Sequence, residues 1–536
     1  MLLVSAAWCD VPTEESASED ILNSADGEAG DSLLILPADD AGSDEPARLR
    51  RRVRFVTALE WRTPQSGQWA ANDLWTRTRL RSTVGRSSSY ELLAVRRSSD
   101  PQTLDELHIT ATGRYEPARI QYIAGSYQLD WGLGLISSAG FGAIREFAAF
   151  RVTDPGPARG FIARPTAREA AWWRGAVVER VVGRWQMNAS GSLREWNART
   201  EAGRATLSGV LASGTPAMLA QRDVVEERAF SGTLVYASQH VSAGALGTHS
   251  RFSPELATSG AALTGMSLFA RGQWSARSVQ LEAARSGDRS AAAMILAQGT
   301  EYWRGAFYAM YASPKYFAPR SQGAFTFGEP VEGARTIGMR AGVVRGQHDF
   351  SAEVRSTVFV NADQLERTTS DFIGGWIGQV RDDVSVAARI AATVRDDSQD
   401  LSNVARSMTY RLESVWSTRC NWSVRFESRS QLAAHETISR RGHYLHVQVV
   451  RPSGRVRPGA RVASFSLDDL SAPLSVYEPN MPGVYPLEVF SGDGIRAAGW
   501  LTAILGDWRI QAKAAIVERD TLKTVREFSL AVSYWH

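Results

Sequence analysis

The stretch "RRVRFVTALEWR", residues 51–62, alternates apolar and charged side chains with a period of two. One side of the alternation carries Val53, Phe55, Thr57, Leu59 and Trp61, and the other carries Arg52, Arg54, Glu60 and Arg62. Successive side chains of a β-strand point to opposite faces of the sheet, so this pattern predicts a strand with one apolar and one polar face.

Four later stretches repeat this alternation: "FSAEVRSTV" (350–358), "MTYRLESVW" (408–416), "NWSVRFESR" (421–429) and "WRIQAKAAI" (508–516). Such strands suit either a soluble sandwich, whose apolar face meets a core, or a transmembrane barrel, whose apolar face meets lipid. The predicted strands run about nine to twelve residues, which matches the ~9–11 tilted residues that cross a bilayer. Their length favours the transmembrane barrel, and we expect Trp61, Trp416, Trp422 and Trp508 in its interfacial aromatic girdles.

The connections between the predicted strands favour the same architecture. From about residue 335 onward, short connections such as "GQH" and "LGDW" alternate with longer ones at 360–371, 395–405, 430–440 and 468–494. Outer-membrane barrels combine short periplasmic turns with long external loops, whereas soluble meanders need no such asymmetry. Because unpaired strand edges are not tolerated in hydrocarbon, the strands must close. We predict an all-β protein with a single antiparallel barrel of about 24–26 strands in residues 48–536, located in the bacterial outer membrane.

Residues 1–47 differ in composition from the rest of the chain. Between Asp10 and Glu45 there are twelve acidic residues and no Lys or Arg, which leaves 45 of the 57 acidic side chains against all 60 basic ones elsewhere. This segment is predicted to be disordered, and its start "MLLVSAAWC" resembles the back half of a secretory signal without the charged beginning. The acidic segment either caps the basic lumen or is a solvated linker.

The last ten residues, "EFSLAVSYWH", show the alternation up to the chain end. Its apolar positions are Phe528, Leu530, Val532 and Tyr534, and His536 stands where a terminal Phe or Trp is usual. The stretch resembles the terminal strand by which outer-membrane proteins are recognised during assembly. We therefore predict that these four residues form an assembly signal, with the barrel assembly machinery and outer-membrane lipid as partners.

The stretch "GSYQLDWGLGL", residues 125–135, contains three glycines. Its residues Gly125, Tyr127, Trp131, Gly132, Gly134 and Leu135 resemble a G-D-Y-x-x-x-F-G-x-G-L pattern, with Ser126 and Trp131 as departures. That pattern is typical of outer-membrane β-barrels of Bacteroidota and relatives that are usually annotated through a ComEA-like helix-hairpin-helix domain. "EAAWWRGAVVE" (169–179) and "RVASFSLDDLSAPLSVYEPNMPG" (461–483) are similar to further segments of this family. The resemblance implies a fold and a location, and the helix-hairpin-helix module is not visible in residues 1–50.

We predict no catalytic residue, metal site or cofactor. The glycines of residues 125–135 lack the Lys and the following helix of a phosphate-binding loop, so we interpret them as sites of backbone bending or close packing, with residues 120–130 as a strand that is followed by an inward fold. His443 and His446 lie three apart on a predicted strand, hence on opposite faces, and do not share a metal ion.

The inward charges are the remaining functional candidates. Arg411, Glu413, Arg425, Glu427 and Arg509 are predicted to face the lumen, where they either form cross-strand pairs that stiffen the wall or attract anions. The sequence favours a non-enzymatic channel, or a scaffold for envelope protein partners, with an Arg-rich lumen. Alternatives are a barrel associated with DNA binding or uptake and, less favoured, an outer-membrane hydrolase.

Overall fold

In a computed structural model of the protein, nearly every described residue belongs to a β-strand or to the turn that follows one. The described residues are 51–62, 74–84, 88–96, 106–137, 160–163, 173–207, 220–300, 302–321, 333–360, 366–381, 383–397, 405–417, 422–435, 438–468, 474–477, 487–490, 492–519 and 524–535. The predicted acidic segment and the predicted boundary at residue 48 lie outside them. No helix of this part of the chain is long and apolar enough to cross a membrane.

Twenty-four of the described strands form one ring. They are β1 (Arg51–Arg62), β2 (Leu74–Val84), β3 (Ser88–Arg96), β4 (Glu106–Tyr115), β5 (Ile120–Asp130), β7 (Trp173–Val182), β8 (Trp185–Trp196), β11 (Val225–Ala237), β12 (Val241–Leu256), β13 (Gly260–Trp274), β14 (Arg277–Ser286), β15 (Arg289–Gly299), β16 (Trp303–Ala312), β17 (Gly333–Arg345), β18 (His348–Val360), β19 (Glu366–Arg381), β20 (Val384–Asp397), β21 (Ala405–Ser417), β22 (Ser423–His435), β23 (Ile438–Val450), β24 (Val456–Leu467), β27 (Gly494–Leu505), β28 (Trp508–Arg519) and β29 (Val525–Trp535). Each pairs antiparallel with the next one in this order, and β1 pairs with β29 from Arg54↔Trp535 to Arg62↔Glu527. The barrel is therefore closed, as predicted.

Five shorter strands and one helical turn lie outside the ring. They are β6 (Gly160–Ile162), β9 (Ala198–Glu201), β10 (Arg204–Leu207), β25 (Leu474–Tyr477), β26 (Leu487–Phe490) and the 3-10 turn Glu116–Ala118. β9 pairs with β10, β25 pairs with β26, and β6 pairs with the last three residues of β5. Of these, β6 is the one that pairs with the end of β5 beyond its pairing with the neighbouring ring strands.

Burial along the strands shows which face meets lipid. On β14, Glu282 is 2% exposed and its neighbour Leu281 is 47% exposed. On β13, Met266 and Leu268 are exposed, whereas Ser267 between them and Phe269 after them are buried. Large apolar side chains thus cover the outside, and most charges of the strands point inward. The side chains of the predicted apolar face lie outside and the charged ones inside in residues 350–358, 408–416, 422–429 and 508–516.

The strands are longer than predicted, and this shortens two of the four long connections. β12 and β19 each have 16 residues, and β22 and β23 leave only residues 436–437 between them where a loop at 430–440 was predicted. The loop predicted at 360–371 likewise shrinks to 361–365. The prediction failed there because the alternation that defines a strand weakens in its last residues, which extend beyond the hydrocarbon.

Aromatic side chains gather at the end of the barrel with the short turns. Trp416 and Trp508 are exposed there, as predicted, together with Trp185, Trp274 and Trp303. Trp185 contacts Tyr236 edge to face at 5.2 Å between ring centroids, and Trp508 contacts Tyr534 at 4.7 Å. Amphipathic rings favour the membrane interface, so these residues form the girdle of this rim. The side chain of Trp61 lies outside the described residues.

Candidate functional site: the barrel interior

The inner surface departs from a simple wall where β5 ends. β5 pairs with β4 up to Gly125 and with β7 up to Tyr127, and its residues Gln128–Asp130 pair instead with β6. Gly125 has φ +110°, and a Cβ there would lie 1.8 Å from the backbone oxygen of Ile109. Only glycine fits this position. The chain leaves the wall at this bend and continues inside the barrel through residues 128–137.

We call residues 128–137, 160–163 and 313–321 the inner layer. It packs on a part of the inner wall that is unusually apolar, and its own large side chains Leu129, Trp131, Leu133, Leu135 and Tyr316 are 0–2% exposed. The wall residues under it are Phe269 on β13, Ala284 on β14, Ala291, Ala293, Ile295 and Ala297 on β15, and Ala306, Tyr308, Met310 and Ala312 on β16. A barrel interior is normally polar, so this wall is apolar because protein covers it.

The layer is attached to the wall through the carboxylate of Glu282. The backbone N–H groups of Leu133 and Leu135 both donate to Glu282 Oε2, at 2.5 and 3.2 Å. Gly132 and Gly134, with φ +64° and +83°, allow the turn that points these donors at one oxygen. Successive backbone N–H groups in such a turn form an anion-binding concavity. The loop resembles a phosphate cradle in this respect, but the anion that it binds is a side chain of the same protein.

A second attachment is a buried ion pair between Arg320 and Glu227 on β11. The Arg320 guanidinium donates two hydrogen bonds to the Glu227 carboxylate, at 2.8 and 2.5 Å, and Trp196 Nε1 donates a third at 2.7 Å. The same guanidinium lies 3.9 Å from the ring centroid of Trp173. A buried charge pair is tolerated only when its remaining bonds are satisfied, and here the carboxylate accepts three.

Tyr316 and Ser137 join the segments of the layer to one another. Tyr316 donates its hydroxyl hydrogen to the backbone oxygen of Leu135 at 2.9 Å, and Ser137 donates to the backbone oxygen of Leu129 at 2.9 Å. Burial and, second, the charge of Glu282 raise the pKa of Tyr316, so the hydroxyl keeps its proton and acts as a donor. Ser137 also forms a β-bridge with Arg320. The layer is thus one connected unit.

Elsewhere the interior is dominated by arginine. We call the inward-facing side chains Arg389, Arg411, Arg425, Arg429 and Arg461, on β20–β24, the arginine wall. Arg389 is directly opposite Arg411, and Arg411 is opposite Arg429, so one row of three arginines crosses β20, β21 and β22. Neighbouring strands lie ~4.8 Å apart, which sets the spacing of this row.

Two carboxylates lie among these cations. Glu413 accepts hydrogen bonds from Arg411 at 3.1 Å and from Arg425 at 2.9 Å, and Glu427 accepts from Arg411 at 3.2 Å and Arg425 at 3.1 Å. Glu427 also accepts from Arg429. The predicted cross-strand pairs are therefore present. Arg411, Arg425 and Arg429 share these two glutamates, so guanidinium groups outnumber carboxylates in this described cluster. Arg411 and Arg425 are 29% and 30% exposed to the interior.

The remaining predicted residues are placed as follows. Arg509 points inward on β28, opposite Ser533. Phe528, Leu530, Val532 and Tyr534 lie on the outer face of β29, the strand that closes the barrel against β1. His443 is exposed on the outer face of β23, and His446 is buried on the inner face. Of the six motif residues, Tyr127 stacks on Trp173, Trp131 stacks on Phe269, and Leu135 accepts a hydrogen bond from Tyr316 at its backbone oxygen.

Glu282, Glu227 and Arg320 were not predicted from the sequence. Glu282 lies 149 residues from Leu133, and Arg320 lies 93 residues from Glu227. The one local signal is the alternation of β15 and β16, where "AAAMILA" and "GAFYAMYA" place apolar residues on both faces. Strands that are apolar on both faces are covered on both faces.

A closed antiparallel barrel with an apolar outside, aromatic rings at one rim and charges inside can be stable only in a membrane, because lipid must cover its exterior. Barrels of this kind belong to bacterial outer membranes. The protein is therefore an outer-membrane β-barrel of the bacterial type, and lipid covers its outer face.

No family model and no curated protein matches this chain. Among solved structures it is similar to an anion-selective porin from Comamonas acidovorans, with 12% identity, 65% of this chain and 100% of the porin covered, and a TM-score of 0.31. It is also similar to the copper transporter OprC (10% identity, 92% and 81% covered, TM-score 0.43) and to a ferric enterobactin receptor from Pseudomonas aeruginosa (8% identity, 92% and 82% covered, TM-score 0.44). Each TM-score is below 0.5, so these likenesses decide neither the fold nor the function of this chain.

Proposed function

We propose that the protein is a non-enzymatic outer-membrane channel that passes anionic solutes along the arginine wall. The observation that carries this proposal is the row Arg389, Arg411 and Arg429 on three adjacent strands, with Arg425 and Arg461 nearby and the carboxylates of Glu413 and Glu427 among them. Cations that line a confined, low-dielectric passage raise the local concentration of anions.

The size of the ring supports a passage. Barrels of 16–18 strands already leave an aqueous channel, and a ring of 24 encloses a wider interior. The contacts of the described inner layer are with β7 and β11–β17, whereas the arginine wall lies on β20–β24. Anions therefore meet guanidinium groups that are held in place by their bonds to Glu413 and Glu427.

Ion selectivity in a planar bilayer tests the proposal. In a KCl gradient, the purified full chain should show a reversal potential of the sign expected for anion preference. The double variant Arg411→Gln and Arg425→Gln should lower the anion-to-cation permeability ratio by roughly two-fold or more, because Glu413 and Glu427 then lose most of their partners.

The matched control is Arg228→Gln, an arginine on the outer face of β11 that is 71% exposed. This variant should retain the selectivity of the unmodified protein. Cation preference of the unmodified protein, or an equal effect of the control, would contradict the role of the arginine wall.

DNA is a second candidate ligand, because a row of arginines at strand spacing also suits the phosphates of a polyanion. DNA retention by the purified barrel should fall steeply with salt, and no retention at low salt would remove this candidate.

A further inference from the structure

The inner layer and the arginine wall occupy different parts of the ring. The layer contacts strands β7 and β11–β17, whereas the arginine wall spans β20–β24, and β18 and β19 lie between them. The layer itself contains only three ionisable charges, Asp130, Lys315 and Arg320, and Arg320 is paired with Glu227. It therefore offers little to a charged solute, while it fills space inside the barrel.

We propose that the inner layer is a fixed part of the lumen wall and that it confines the passage of anions to the side lined by the arginine wall. Glu282 is its anchor. The part of the inference that concerns the passage of anions rests on the proposed channel function. The fixed attachment of the layer is a separate property, and it can be measured without conductance.

Three kinds of contact keep the layer in place. Its apolar side chains are almost completely buried on the apolar residues of the wall beneath it. Its backbone donors at Leu133 and Leu135 are satisfied by Glu282, so displacement would leave a buried carboxylate and two amides without these bonds. The Arg320–Glu227 pair would also have to separate, which is costly because both groups are buried.

A disulfide between the layer and the wall tests whether the layer moves. A Cβ built at Gly265 on β13 lies 3.2 Å from Ile136 Cδ1 and 3.4 Å from Ile136 Cγ2, so Ile136→Cys with Gly265→Cys brings the two side chains into contact. The same Cβ lies 2.6 Å from Thr248 Oγ1, so Thr248→Ala accompanies the cysteines in all versions. The native Cys9 and Cys420 are replaced by Ser in all versions. The two single-cysteine variants are the controls.

We expect the same single-channel conductance and the same anion selectivity in the oxidised and reduced double variant. A channel that closes on oxidation and opens again on reduction would overturn the proposal, because it would show that the layer must move. If the unmodified protein shows no conductance, the proposed channel function is wrong. The fixed attachment of the inner layer is then tested by hydrogen exchange alone.

Hydrogen exchange of the Leu133 and Leu135 amides is the second measurement of whether the inner layer is fixed. In the unmodified barrel both amides should exchange as slowly as the amides of the barrel strands. Exchange at the rate of an open loop would overturn the fixed layer. Glu282→Ala should accelerate exchange at both amides by at least ten-fold and widen the conducting path, whereas Glu282→Gln, which retains an acceptor oxygen, should show a smaller effect. Slow exchange in a folded Glu282→Ala barrel would show that Glu282 is not the anchor.

Discussion

Gly132 illustrates how one residue depends on a distant one. Its φ of +64° lies in the left-handed region, and a Cβ there would lie 2.7 Å from Glu282 Oε2 and 3.1 Å from Phe269 Cβ. The sequence predicted a bend or close packing at this glycine, and the structure adds the reason. The space that a side chain would need is taken by the carboxylate that binds the following backbone N–H groups.

Gly132→Val should therefore prevent correct assembly of the barrel. A valine must both adopt an unfavourable φ and displace Glu282, which costs several kcal/mol in total, on the order of 3–5. The measurement is the heat-dependent gel shift of the folded barrel, together with resistance to protease.

Gly183→Val is the matched control for this prediction. Gly183 has φ +60°, close to that of Gly132, but nothing lies within 4 Å of a Cβ built there. This control retains the backbone strain and removes the clash, so it should still assemble. Equal loss of assembly in both variants would assign the effect to φ and not to Glu282.

Within individual strands, the alternation of the sequence predicts the face of the sheet on which each side chain lies. On β21 and β22 the pattern correctly placed Tyr410, Leu412 and Phe426 outside and the charged residues inside. It could not place the ends of long strands or identify which strands carry a second layer. Those features depend on neighbours that are far away in the chain.

The closing strand β29 carries the predicted assembly signal. Leu530→Ser with Val532→Ser removes two outward apolar side chains of this strand and should reduce the amount of assembled barrel in cells by several-fold. Assembly is measured as the heat-modifiable fraction in the outer membrane.

The control for β29 is Val462→Ser with Ile495→Ser, on the outer faces of β24 and β27. This pair loses a similar contact with lipid but leaves the last strand unchanged. If the control lowers assembly as strongly as the β29 variant, the effect comes from lipid contact and residues 528–534 are not a signal.

At the scale of the whole molecule, charge is distributed unequally between the first 47 residues and the barrel. The hypothesis that residues 10–45 cap the basic lumen predicts that a refolded chain without residues 1–47 conducts better than the full chain. The difference should be larger at 0.01 M salt than at 1 M, since the Debye length falls from about 30 to 3 Å. Equal conductance of the two chains at both salt concentrations would favour the alternative of a solvated linker.

The whole barrel also shows why its interior is not uniform. A ring of 24 strands encloses more space than side chains alone fill, so a segment of the chain can enter and cover part of the wall. The covered wall is apolar on β15, whereas the wall on β21 and β22 carries arginines.

The sequence alone determined the class of fold, the outward and inward faces of the strands and the approximate number of strands. All of these depend on a period of two, which is a local property. Only the tertiary structure decided that residues 128–137 rest on β13–β16, that Glu282 binds their amides, and that Arg320 pairs with Glu227. Those contacts join residues 93 to 149 positions apart, and no local pattern encodes which strand a chain segment meets once the ring has closed.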